Sequence, residues 1–107
     1  MPQFVLMLRD DGSFPTDMSP EEMQQMFGRY RAWSQRVGAK GVKLRDGEGR
    51  VMRKGAAVTD GPFTEAKEVL GGYLLIEAQN YDDAIRLSQD CPQLDYGSIE
   101  VREVEPT

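Results

Sequence analysis

Four side chains of this sequence have the chemistry of a small-molecule site: Arg9, Asp60, Glu100 and Arg102. A guanidinium grips a carboxylate with two parallel hydrogen bonds, which makes Arg102, with Arg9 near the end of the first strand, the candidate anchor for an anionic group. Asp60 or Glu100 can accept a substrate proton where burial raises its pKa. Architectural roles compete with each assignment. Asp60 can accept backbone N–H bonds in its own turn, Gly61 can supply a positive φ, Pro62 restricts the exit path and Phe63 can anchor the loop on apolar surface. Glu100 and Arg102 alternate as charges do on any half-exposed strand, and Lys67 with Glu68 reads as a loop-locking pair or a helical surface.

Other chemistries are excluded or unsupported. Histidine is absent, which removes His-based acid–base catalysis, His-containing triads and His-ligated zinc or copper. Cys91 is the single cysteine, so there is no intrachain disulfide, and it reads as a small buried hydrophobe in a reducing compartment. Asp10, Asp11 and Asp17 lack the glycine and terminal glutamate spacing of a calcium loop. Gly47-Glu48-Gly49 and Gly71-Gly72 match neither a Walker nor a Rossmann phosphate cradle. No cofactor or metal is predicted. Lys43, Arg45, Arg50, Arg53 and Lys54 form a basic stretch without an aromatic stacking platform, which argues against nucleic acid as a partner.

The elements that must position these residues are legible from pattern. Phe4 to Leu8 is an apolar run ending at Arg9, expected as a strand buried on both faces. Ser19-Pro20-Glu21-Glu22 is a capping box with proline at the first helical position, and Met23, Met26, Phe27, Tyr30, Trp33 and Val37 then mark one stripe of a helix over about residues 20–37, stopped at Gly38. Val42 with Leu44, Arg50-Val51-Met52 and Ala56 to Thr59 are short strand candidates in a glycine-rich stretch, and Asp60-Gly61-Pro62 turns the chain. Thr64 to Glu68 suggests one helical turn broken by Gly71-Gly72. Tyr73 to Ala78 alternates as a strand. Asn80 caps a helix ending near Asp90 before Pro92, and Ser98 to Val104 turns Ile99 and Val101 inward with Glu100 and Arg102 outward. This order predicts an α+β, ferredoxin-like βαββαβ sandwich with an inserted loop or hairpin, both helices on one sheet face.

The composition bounds the rest. The 107 residues make one domain, 1–107, with a modest core that a partner chain would enlarge. The formal charge is −5, unevenly spread: residues 41–60 carry five basic and three acidic groups, residues 61–107 three basic and ten acidic. The acidic second half weighs further against a nucleic acid backbone. No apolar run reaches the roughly 20 residues of a membrane span, and the start MPQFVLMLRD lacks a secretory signal's basic region, so a cytoplasmic location without a membrane partner is expected.

The run Val58-Thr59-Asp60-Gly61-Pro62-Phe63-Thr64-Glu65-Ala66-Lys67-Glu68 with Gly71-Gly72-Tyr73 resembles the signature of the DGPF type of the YCII-related family. Ser19-Pro20-Glu21-Glu22-Met23, Cys91-Pro92 and Tyr96-Gly97 leading into Ile99-Glu100-Val101-Arg102 extend the resemblance over nearly the whole chain. It implies a homodimer in which two ferredoxin-like units form a dimeric α+β barrel. Some YCII-related proteins pair a histidine with an aspartate proposed as catalytic; this chain has no such histidine, and Asp60, the carboxylate of the motif, becomes the candidate catalytic residue. Two functions stand side by side: the residues suggest binding or transformation of a small polar metabolite in a cleft near Asp60, and the resemblance implies as the alternative a non-catalytic regulatory or accessory module with a protein partner linked to sigma-factor-type regulation.

Overall fold

The structure is a computed structural model that describes residues 1–62 and 68–106. Strand β1 (Gln3–Asp10) leads to helix α1 (Pro20–Val37), the edge strand β2 (Lys40–Lys43), two-residue strands β3 (Arg50–Val51) and β4 (Thr59–Asp60), then β5 (Val69–Glu77), helix α2 (Tyr81–Ser88), a 3-10 turn over Pro92–Asp95 and β6 (Gly97–Glu103). The main sheet has the order β2-β5-β1-β6 with every neighbouring pair antiparallel, and β3 pairs only with β4.

The molecule is a mixed α/β fold with two open sheets, and the ferredoxin-like sandwich closing as a dimeric α+β barrel is not what it forms. The reason lies in the pairing: β2 and β6 are free edges of the four-stranded sheet, and β3 and β4 satisfy each other in a separate hairpin instead of lengthening it. A barrel requires its edge strands to meet, and these do not.

Both helix starts follow from local hydrogen bonding. Ser19 Oγ accepts from the Glu22 N–H at 3.1 Å while Glu22 Oε1 accepts from the Ser19 N–H at 3.3 Å, and Gly38 ends α1 in the left-handed region at φ 69°. Asn80 Oδ1 accepts from the Asp83 N–H at 2.9 Å, and Asp83 Oδ2 accepts in return from the Gln79 N–H at 3.0 Å. Those contacts, the Gln79 N–H first and Arg86 second, hold the Asp83 carboxyl below its ordinary range.

The core is one layer between a sheet face and the helices. Phe4, Leu6, Leu8, Leu74, Ile76 and Trp33 are buried there, with Ile99 and Val101 partly buried against them. Trp33 Nε1–H donates to the Leu87 carbonyl at 2.8 Å, tying α1 to α2. Only Trp33 of the α1 stripe is fully buried; Tyr30 and Val37 flank it, while Phe27 lies half exposed toward the helix start.

Gly71-Gly72 does not break the chain as expected but lies inside β5, which starts four residues before the predicted Tyr73. The register slips between Leu8 and Arg9, so Leu8 faces Gly72 and Arg9 faces Leu70, leaving Gly71 as an extra residue. A Cβ on Gly71 would collide with the Asp10 carboxylate, and one on Gly72 would stand 2.7 Å from the Val42 carbonyl oxygen. Both glycines permit close approach, which is a tertiary demand invisible in a local pattern.

Candidate functional site

The register assigns each strand residue to a face. Alternate β1 residues Val5, Met7 and Arg9 lie opposite the core face, with Leu75, Tyr73 and Leu70 beside them on β5 and Arg102, Glu100 and Ser98 on β6. Val42 of β2 completes one row next to Tyr73. No helix among the described residues covers this side: Val42, Leu70 and Tyr73 are exposed and Val5, Met7 and Leu75 half-buried. The result is an apolar floor with charges along its β6 rim.

Three of the four candidate residues lie on this face. Arg9 Nη2 donates to Glu100 Oε1 at 3.0 Å, a diagonal contact across the β1–β6 pair, and also lies 4.0 Å from the Met7 sulfur. Arg102 follows two residues after Glu100 on the same side, about 7 Å further along the strand. Among the described residues it forms no ion pair.

Asp60 lies elsewhere. It sits in the β3–β4 hairpin, its side chain 90 % exposed, with Oδ1 3.5 Å from Arg50 Nε, its register partner. At that exposure the pair contributes at most about 1 kcal/mol. Gly61 does not use the expected positive φ; its N–H donates to the Gly49 carbonyl at 2.8 Å, and a Cβ there would crowd the same backbone at 3.0 Å. Pro62 follows through a cis peptide. Phe63, Lys67 and the helical turn expected from Thr64 lie outside the described residues, save Glu68 at its end.

Glu68 and two residues not singled out from sequence complete the rim. Ser98 Oγ donates to Glu68 Oε1 at 3.1 Å, and Gln93 Nε2 donates both to the Arg9 carbonyl at 3.1 Å and to Asp10 Oδ1 at 3.0 Å. These bonds fix the end of β1 from which Arg9 projects. Ser98 was readable as the first outward position of the strand carrying Glu100 and Arg102; Gln93 has no local signal, because its role depends on how the 3-10 turn packs against β1. Two hollows, of about 300 and 580 Å³, open at the other end of the sheet around Gln3 and Glu77, and neither is lined by Arg9, Asp60, Glu100 or Arg102.

The sequence matches the YCII-related domain over residues 3–107. The chain belongs to the YCII-related family. Comparison with curated proteins finds no match. This YCII-related chain has no histidine. Cys91 is buried in the core, and burial pushes its thiol up to about 11, so it stays protonated and a poor nucleophile at neutral pH. No helix among the described residues is long and apolar enough to cross a membrane.

Proposed function

We propose that this YCII-related chain binds a small polar metabolite carrying a carboxylate on its open sheet face, with Arg102 as the anchor and the Arg9–Glu100 pair beside it. The observation that carries the reading is the juxtaposition of an unpaired guanidinium with an apolar floor of Val5, Met7, Tyr73 and Leu75, the mixture small-ligand sites use for orientation and burial. A carboxylate meets Arg102 without breaking an existing ion pair, whereas Arg9 is already engaged. No chemical step is assigned, since Glu100 faces Arg9 and Asp60 faces Arg50. The exposed apolar centre of the face also supports self-association as a homodimer, with the ligand at the rim.

Thermal-shift and calorimetric titration with a panel of mono- and dicarboxylates tests the reading. Saturable binding that Arg102→Gln weakens at least tenfold is expected. Binding of equal strength in the variant, or none at millimolar concentrations, would overturn it. The accessory-module reading draws on the same exposed Val42, Leu70 and Tyr73. It gains if a regulator of the sigma-factor type binds the purified chain and Tyr73→Ser abolishes that binding, and fails if no such complex forms.

A further inference from the structure

One row of the open face carries a cation at each end. Lys40 of β2 is the register partner of Leu75, Leu75 of Val5 and Val5 of Arg102, so the row crosses all four strands with two half-buried apolar side chains between the charges. Three strand spacings separate Lys40 from Arg102, about 14 Å, and side chains stand roughly perpendicular to a sheet, so the two cationic groups keep about that separation. Among the described residues Lys40, like Arg102, forms no ion pair.

The Lys40 end of the row borders a hollow. Strand β2 begins opposite Leu75, so the edge of β5 at Ile76 and Glu77 runs past it, and the end of α1 at Val37 and Gly38 closes round the space of about 300 Å³ that remains. Gln3, Lys40, Leu75 and Glu77 line it from the open-face side, since the Gln3–Glu77 pair lies two residues along from the Val5–Leu75 pair. Glu77 is exposed and forms no ion pair among the described residues. The hollow therefore presents an ammonium, a carboxylate and an amide to one occupant. Glu77 repels a lone anion there and Lys40 a lone cation, whereas a group bearing both charges satisfies the two together.

We propose that the ligand of the open face is an α-amino α,ω-dicarboxylate, its amino-acid end held in the hollow by Lys40 and Glu77, its methylene chain laid over Leu75 and Val5, and its far carboxylate on Arg102. This rests on the assignment of Arg102 as a carboxylate anchor. Lys40, Glu77 and Arg102 sum to one positive charge, the Arg9–Glu100 pair adds none, and the ligand's two carboxylates and one ammonium sum to one negative charge. With about 3 Å from each cationic nitrogen to the carboxylate it holds, about 8 Å is left between the carboxylates. A chain of about seven carbons spans that gap, at about 1.25 Å of extension per carbon–carbon bond.

Calorimetric titration of the full chain tests the assignment with four probes: 2-aminoheptanedioate, heptanedioate without the amine, 2-aminoheptanoate without the far carboxylate, and aspartate with the chain too short. The first should bind about tenfold or more tighter than each of the others. Lys40→Gln should weaken it about tenfold, and Glu77→Gln should reverse the preference, because heptanedioate gains where the repelling carboxylate is gone; both variants should keep the wild-type circular dichroism spectrum. Equal affinity for the four probes, or an unchanged preference in Glu77→Gln, would overturn the proposal, and if Arg102→Gln still weakens those probes that carry a carboxylate the anchor at Arg102 stands without it. Absence of binding at millimolar concentrations, or binding indifferent to Arg102→Gln, would overturn both.

Discussion

At the scale of the single residue, Cys91 lies within the core cluster at 2 % exposure, and the loss of solvation there raises its thiol from an ordinary 9.0 to about 11. An unfolded chain releases that proton near pH 9 while the folded chain keeps it. The protonated thiol's contribution is therefore complete below pH 9 and is lost progressively as pH rises through about 11, with a slope of at most about 1.4 kcal/mol per pH unit. Tyr30, its phenol likewise raised by burial, adds to the alkaline decline, so the comparison must be with Cys91→Ala. Urea unfolding between pH 7 and 11 should give a shallower decline in the variant, and parallel curves would refute the assignment. The sequence identified Cys91 as buried because nothing around it supplied a disulfide partner or a histidine. The meeting of Arg9 with Glu100 was less accessible: they are 91 positions apart, and only the β1–β6 register makes them diagonal neighbours. Asp60 illustrates the converse, since a turn motif reveals a residue's backbone context but not the sheet in which the turn will sit.

At the scale of the element, what is local was legible and what is imposed by a neighbour was not. The capping box of α1 and the Asn80 cap of α2 are written in four-residue patterns, and both form with the expected hydrogen bonds. Gly71-Gly72 gives the opposite signal, because two glycines weaken any strand pattern while their function here is to admit the Asp10 carboxylate and the β2 backbone. This makes a specific prediction. Gly71→Ala should destabilise the chain by about 1–3 kcal/mol, the range for a side chain forced into an occupied site. The obstacle is Asp10, which is held in place by Gln93. Adding Asp10→Ala should therefore recover part of that loss, a coupling readable in a double-mutant cycle by urea denaturation. Additive effects would show that the strain lies in the bulged backbone instead.

At the scale of the whole molecule, the chain exposes 8057 Å², whereas a compact monomer of its mass exposes about 6,000 Å². Its radius of gyration is 15.5 Å against about 13 Å for that length. Two features of the described residues add exposed surface, the hairpin that stands off the main sheet and the sheet face that no described helix covers. Composition gave notice of a modest core, but it carries no information on which surface stays open; that follows from both helices packing on one side. Val42 and Tyr73 lie adjacent on the open face and are each about half exposed, so replacing both by serine should lower the stability of the dilute protein by about 1–3 kcal/mol. In a dimer built through that face the same pair would be central and apolar. The melting temperature of the wild type should then rise with protein concentration, and the rise should vanish in Val42→Ser/Tyr73→Ser, with sedimentation showing a matching loss of association. A concentration dependence retained in the variant would place the interface elsewhere.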